Sequence, residues 1–444
     1  MLEGPIFKNI LSYTLPIVLT NILQLLFNAA DLVVVGRCCG SNSVAAVGAT
    51  TSLINLMVNL FIGLSVGTGV TAAMAIGSDD KEAIKRIVHT ALPTAIISGV
   101  ILTVPGLFFS ENILRIMSTP ENILPLSAVY MKIYFAGITA TMVYNFASAI
   151  LRAAGDTKSP LLFLTLSGIV NVILNLIFVT LFHMDVAGIA LATTISQILS
   201  ALLTVIELMK RTDACKLTLR KMRIYKEPLI KLMKIGIPAG IQSSLFSFSN
   251  VFIQSSINSF GKIVVSGNAA AANIEGFGFT IVNAFHQTAL NFTGQNVGIN
   301  NYKRVLKIYR ECVLSVFICG LLLGLFFNLF SSRLLSVYIT DSPEAIALGV
   351  TRMSIICSGF CLAGLMEVST GAIRGMGVSL SPMLITVIGV CFFRIVWLFT
   401  FFQLEHLHTP SGLYISYPIT WALTFIAELI TFIIIYKKRI KKSV

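Results

Sequence analysis

Twelve uninterrupted apolar runs dominate the chain: residues 10–35, 44–76, 88–109, 124–151, 159–182, 186–209, 232–257, 264–297, 310–331, 343–373, 382–402 and 412–436. A helix needs about 20 apolar residues to cross a hydrocarbon core. Only helices and closed barrels can cross lipid, because every backbone polar group must be satisfied internally. Barrel strands alternate apolar and polar residues over segments of about ten, and these runs do not alternate. The prediction is an all-α integral membrane protein with twelve transmembrane helices. The runs 44–76 and 264–297 exceed one crossing and are expected to tilt or project into water. Composition agrees: 56% of the 444 residues are hydrophobic and 11% charged, against about 25% charged in soluble chains.

The net charge of +13 raises the question of nucleic acid, and its placement answers it. Most Lys and Arg fall at the N-terminus, in even-numbered loops such as 210–231, and in a tail containing Lys437, Lys438, Arg439, Lys441 and Lys442. The positive-inside rule then puts both termini in the cytoplasm of a multi-pass protein of the cell membrane. Basic charge there meets anionic lipid; no nucleic acid is expected. The eight cysteines are scattered. Neither the Cys38–Cys39 pair nor Cys357 with Cys361 has the company a metal site requires, so they read as packing residues. The first span is too long for the apolar core of a cleavable signal.

The longest charged interior segment divides the chain into 1–209, a basic cytoplasmic linker 210–231, and 232–444. At an offset of 222 residues Pro16 meets Pro238, Asn28 meets Asn250, and Gly137 meets Gly359. Arg152-Ala-Ala-Gly-Asp-Thr-Lys-Ser-Pro160 meets Arg374-Gly-Met-Gly-Val-Ser-Leu-Ser-Pro382, agreeing at Arg, Gly, Ser and Pro. Each half holds six spans, an even number, so the two six-helix bundles are parallel repeats. In transporters of that symmetry the substrate sits between the halves and access alternates.

Beyond the repeat, the chain carries Asp31-Leu-Val-Val-Val-Gly-Arg37, Leu151-Arg-Ala-Ala-Gly-Asp156, Val186-Ala-Gly-Ile-Ala-Leu-Ala-Thr193, Gly236-Ile-Pro-Ala-Gly240, Gly294-Gln-Asn-Val-Gly298 and Leu365-Met-Glu367 leading to Arg374-Gly-Met-Gly377. In this combination, over nearly its whole length, the chain resembles multidrug and toxic compound extrusion transporters of the prokaryotic DNA-damage-inducible branch. That resemblance implies a V-shaped pair of six-helix bundles and efflux driven by protons or sodium. The basic motif usual after span two of major facilitator transporters is missing from Ser78-Asp-Asp-Lys-Glu-Ala-Ile-Lys-Arg86.

Ionisable groups inside a bilayer cost at least about 2.5 kcal/mol each and are functional candidates by default. Asp31, Glu275, Glu367 and Arg394 lie deep. At about 1.5 Å per residue, Asp31 sits roughly 6 Å below the outer surface, and Asn175 and Thr193 roughly 10 Å. Asn171 and Asn175 share one helical face, so these four can converge in the outer half of the first bundle. In the family resembled, the positions of Asp31, Asn171, Asn175 and Thr193 form a cation-binding cluster, often with Asp where this chain has Asn175. The alternative is a polar knot gluing helices together.

In the second bundle Glu275, Glu367 and Arg394 are expected near mid-membrane. A carboxylate partner is expected for Arg394; the three form either a functional cluster with Glu275 as the free titrating acid or, as the alternative, a static charge-compensated pair of Glu367 and Arg394 that fixes helix packing. Gln242, Asn273 and the lone His286 belong to a dense polar set on spans seven and eight that can line a cavity. Glu207 and Glu428 read as inner helix-end groups that snorkel or pair with terminal lysines. Pro16 and Pro238 fall inside the first span of each bundle, as a hinge or a fixed bend.

The function expected is a secondary antiporter, a monomer, exporting organic cationic or lipophilic molecules in exchange for H+ or Na+, with Na+ held at Asp31. A lipid-linked saccharide flippase of the same superfamily is the alternative. An intramembrane enzyme is the rival from another class. No H-E-x-x-H, G-x-S-x-G or Walker A sequence supports the rival, and no cofactor is expected.

Overall fold

The computed structural model describes residues 1–117, 119–340 and 342–443, with backbone only at 41, 52, 442 and 443, so the Lys442 side chain lies outside the described residues. All twelve runs are helical, and no strand occurs among the described residues. The spanning helices are α1 (Ile6–Cys38), α2 (Ser41–Gly77), α3 (Lys81–Phe108), α4 (Leu124–Ala153), α5 (Lys158–Leu176) and α6 (Asp185–Lys210). They continue with α7 (Lys226–Asn258), α8 (Lys262–Gly298) and α9 (Tyr302–Tyr338). The tenth, α10, joins Pro343–Ile356 to Phe360–Gly375, α11 begins at Leu380–Thr386 and resumes at Phe393–Phe399, and α12 is Ser416–Ser443. Among the described residues ten helices are long and apolar enough to cross a membrane; α7 and α8 have the length but a more polar composition.

Two helices change form beside residues of interest. A π-helical turn at Ile177–Leu181 ends α5, and another interrupts α11 at Val387–Phe392. Such turns shift the facing of every later residue in the helix and are frequent at functional sites. The repeated Arg-x-x-Gly stretch has a local cause. Gly155 and Gly377 come just after α4 and α10 with φ of 93° and 79°, a left-handed helix end that glycine adopts without a Cβ penalty.

The helices assemble into two compact units. One, the N unit, comprises Leu19–Ser244; the other, the C unit, comprises Met1–Val18 and the chain from Leu245 onward. The expected division at 209 and 232 is therefore displaced: α1 and α7 are each shared between units. The segment 210–231 belongs to the N unit rather than forming a free linker. Its Cys215 and Leu217 are buried. Thr218 N donates to His89 Nε2 at 3.2 Å and Tyr225 N to Thr90 Oγ1 at 3.1 Å. Backbone donors that leave a helix need acceptors, and α3 supplies them.

Within the N unit α4 is central, packed by α2, α3 and α6. Its Met131, Phe135, Ile138, Met142 and Phe146 are all 0% exposed, a stripe at helical spacing. In the C unit the repeat-equivalent α10 packs against α8, α9 and α12. The outward faces are apolar: Leu321, Leu325 and Leu329 of α9 are exposed, and Gly320, Gly324 and Ser331 are buried. Small residues at the contact and large ones toward lipid are what membrane packing selects, since lipid tails are as apolar as Leu.

The N-terminal parts of α1 and α7 are held by different chemistry. In the N unit, Gly63 and Gly67 of α2 meet Gly236 and Gly240 of α7. A Cβ on Gly63 would lie 2.2 Å from Gly240 N, and one on Gly67 2.2 Å from Leu232 O. In the C unit, Thr14 of α1 shares a 2.8 Å hydrogen bond with Thr288 of α8, and Tyr13 packs edge-on to Phe292 at 5.3 Å. Pro16 and Pro238 lie inside α1 and α7, each in the part preceding the transfer between units.

Candidate functional site

Each unit holds a polar centre built on residues that the sequence points to. The N-unit centre is built on the approach of α1 to α5. Gly168 has no side chain, and a Cβ there would lie 1.9 Å from the Phe27 ring. Asp31 is one turn beyond Phe27 on α1, and Asn171 and Asn175 are one and two turns beyond Gly168 on α5. The close contact thus delivers the carboxylate to the two amides.

The four residues expected to converge do so. Asn175 Nδ2 donates to Asp31 Oδ1 at 2.5 Å and to Asn171 Oδ1 at 3.2 Å. Asn171 Nδ2 donates to Thr193 Oγ1 at 3.4 Å. Asn171 and Asn175 are 4% and 0% exposed. The Asn175 carbonyl oxygen is buried and has no hydrogen-bond partner among the described residues. No Lys, Arg or His lies within 4 Å of Asp31 among them. The donor set is oxygen only: a carboxylate, two amide carbonyls and a hydroxyl. That set suits a small hard cation, and the carboxylate alone suits a proton.

The C-unit centre is a cavity of about 450 Å³. Glu275, Glu367 and Arg394 all line it, with Arg352, Asn268, Phe279, Tyr417 and Trp421. The pairing differs from expectation. Glu275 is not free: Arg352 Nε and Nη2 donate to its two oxygens at 2.9 and 2.7 Å. Arg352 Nη1 donates to Asn268 Oδ1 at 2.7 Å. This is a bidentate fork with its third nitrogen also bonded, the strongest form of such a pair.

Glu367 and Arg394 do not pair either. Glu367 Oε2 lies 2.9 Å from His286 Nδ1. The Arg394 guanidinium sits 3.9 Å from the Tyr417 ring centre and 5.9 Å from that of Trp421. Its Nε lies 3.3 Å from Thr420 Oγ1, to which it donates. Two other expected members stand elsewhere. Asn273 is exposed and donates to Ala269 O at 3.0 Å. Gln242 belongs to the N unit, outside this cavity.

Glu428 also departs from its expected role at a helix end. It is 0% exposed and accepts from Thr370 Oγ1 at 2.6 Å, with Thr386 Oγ1 at 3.0 Å. Arg352 was visible in the sequence as a charge inside a span, but nothing there assigned its partner. Tyr414, Tyr417 and Trp421 recur at spacings of three and four on one face, an aromatic stripe legible in the sequence though not singled out.

Against known proteins, the family model described as MatE matches residues 16–177 and 238–400. Its two copies begin at the two repeat prolines. A probable multidrug resistance protein of Bacillus subtilis, YpnP, is 29% identical over 87% of this chain and 86% of its own length. A probable multidrug resistance protein of Thermotoga maritima, NorM, is 26% identical over 86% of this chain and 83% of its own. A solved MATE transporter of the MOP superfamily in an outward-facing conformation superposes with a TM-score of 0.93 at 23% identity, covering 99% of this chain and 98% of that one. A MATE structure in a bent conformation superposes at 0.92 and 22% identity over 100% and 98%. With twelve membrane-length helices in two repeats and the family model covering both, the chain belongs to the MatE family of multidrug and toxic compound extrusion transporters.

Proposed function

We propose that the chain is a secondary antiporter of the cell membrane that exports organic molecules in exchange for H+ or Na+, with both termini cytoplasmic and Asp31 as the residue that carries the coupling ion. The observation behind this reading is the Asp31–Asn175–Asn171–Thr193 cluster: a buried carboxylate ringed by neutral oxygen donors, with one carbonyl left over. Ionised Asp31 needs an outside positive charge. A proton on the carboxylate supplies it. A sodium ion held by Asp31, the carbonyls of Asn171 and Asn175 and the Thr193 hydroxyl supplies it equally. In both loaded forms the site is neutral, which suits passage through a low-dielectric region.

The energetics allow the coupling. One charge moving down 100 mV releases about 2.3 kcal/mol, and a tenfold gradient costs about 1.4 kcal/mol. The relatives' names as probable multidrug resistance proteins support drug-like organic substrates. The test is counterflow in proteoliposomes with pH and sodium gradients imposed separately. Asp31→Asn should fold normally and lose ion-driven efflux. Uphill transport at the normal rate in that variant would make the cluster helix glue.

A further inference from the structure

The C-unit cavity has an unused donor. Of its two arginines, Arg352 is fully engaged by Glu275 and Asn268. Arg394 is not: it is 3% exposed, yet its Nη2 is buried with no hydrogen-bond partner among the described residues. An unmet N–H on a buried charged group is costly, because its desolvation is not repaid by a hydrogen bond. Stacking on Tyr417 at 3.9 Å offsets part of that through the ring face, and it leaves the in-plane N–H without an acceptor. The cavity wall beside it is aromatic, with Tyr417, Trp421 and Phe279.

We propose that this cavity binds an organic anion, with Arg394 gripping a carboxylate, sulfonate or phosphate group and Tyr417, Trp421 and Phe279 holding an apolar or aromatic body. The proposal deepens the export function and rests on it for the identification of the ligand as a substrate. It reverses the charge expected from the sequence, which pointed to cations. A cation would meet Glu275 with both oxygens already taken by Arg352, and Glu367 with one oxygen at His286. An anion completes the guanidinium that the cavity leaves with an unmet donor. Planar guanidinium and planar carboxylate match geometrically, and exclusion of water strengthens the contact. A volume of about 450 Å³ falls within the range of sites for drug-sized ligands.

The experiment is calorimetric binding to the purified full chain in neutral detergent, with three probes of one shape: 2-naphthoate, 2-naphthalenemethanol and 2-naphthylmethylammonium. Naphthoate is expected to bind about tenfold or more tightly than the alcohol, an interval of about 1.4 kcal/mol, and the ammonium least tightly. Arg394→Gln should bring naphthoate and alcohol to parity, and Arg394→Lys should retain part of the preference. Where Arg394→Gln does not fold, the wild-type ranking decides alone: parity of the three probes, or tightest binding by the ammonium, overturns the proposal. Repeating the titration in phosphatidylcholine and phosphatidylglycerol nanodiscs separates two sources of the anion. Loss of naphthoate binding only with phosphatidylglycerol supports a net-anionic lipid headgroup as occupant; equal binding in both supports a free organic anion. No ion gradient is present in these titrations, so their outcome is independent of whether Asp31 couples.

Discussion

The two units bury a carboxylate in opposite ways. Asp31 of the N unit is ringed by amides and a hydroxyl, with no basic side chain within 4 Å among the described residues. Glu275 of the C unit is clamped at both oxygens by Arg352. A carboxylate met by dipoles must take its compensating charge from outside, so its neutralising ion can be exchanged. A carboxylate met by a guanidinium is compensated permanently by the chain itself. The difference teaches that intramembrane charge alone does not mark a coupling site: the identity of the partner decides whether the charge can be loaded and unloaded.

The largest expected effect breaks the locked side. Arg352→Gln leaves Glu275 buried without its partner, and removing one member of a buried pair costs about 3–5 kcal/mol. Thermal unfolding of the detergent-solubilised protein should show a large loss, and Glu275→Gln combined with Arg352→Gln should recover most of it. A single variant as stable as wild type would mean that the clamp is not structural and the contrast between units collapses.

Asp31→Asn makes the complementary case. It keeps the size and one acceptor of the side chain, so its stability cost should stay at about 1 kcal/mol, while ion-driven efflux disappears. Stability and transport should therefore separate at Asp31 and move together at Arg352; measuring both on each variant sharpens the comparison. A large stability loss at Asp31 would place it with Glu275 as a structural group.

Glu428 is a third arrangement, buried against hydroxyls alone at Thr370 and Thr386. Glu428→Ala strips the Thr370 hydroxyl of its acceptor and should cost about 1–3 kcal/mol. Glu428→Gln, which keeps an oxygen there, should cost less, read by the same unfolding assay. Equal losses in the two variants would show that charge, not hydrogen bonding, holds that position.

The smallest effect is expected outside the membrane. Arg211 bonds Asp213 and holds its carboxyl below the usual range. A group whose folded pKa is depressed stabilises above its unfolded pKa of about 3.9, and that contribution fades as pH falls through the folded value. Asp213 is 49% exposed, so solvent screening keeps the contribution under about 1 kcal/mol. Burial beside it pushes the Cys215 thiol up to about 11, so maleimide should label Cys215 slowly at pH 8, and Asp213→Asn should speed labelling only slightly. Rapid labelling of the wild type would show that the 210–231 segment does not stay docked.

The sequence made the N-unit centre legible because depth and helical face were both readable: Asn171 and Asn175 are one turn apart, and Asp31 and Thr193 fall at comparable depth. The C-unit pairing was not legible because depth places a residue along a helix and not around its axis. The π turn at Val387–Phe392 lies just before Arg394. An extra residue in a turn rotates the rest of the helix by about 100°, and regular periodicity carries no trace of it. The displaced unit boundaries have a similar origin. Charge density marks where a chain leaves the membrane, whereas the units are defined by packing that continues along α1 and α7 past that point. Glu428 was misplaced because its partners are two hydroxyls from α10 and α11, distant in sequence and unremarkable in composition.

The sharing of α1 and α7 between units also fixes an order of assembly. The N unit lacks its last piece until residue 244 has been made, since the glycine seam needs Gly236 and Gly240. The C unit needs Thr14 and Tyr13 against Thr288 and Phe292, so residues translated ahead of the whole N unit must wait for partners translated after it. Contacts of such long sequence separation are slow to close, and domains made on a ribosome generally fold from the N-terminus onward. Here the first half of α1 is made before the N unit and seated after it. For most of synthesis the nascent chain therefore carries an uncommitted segment, which the insertion machinery or a neighbouring helix has time to hold.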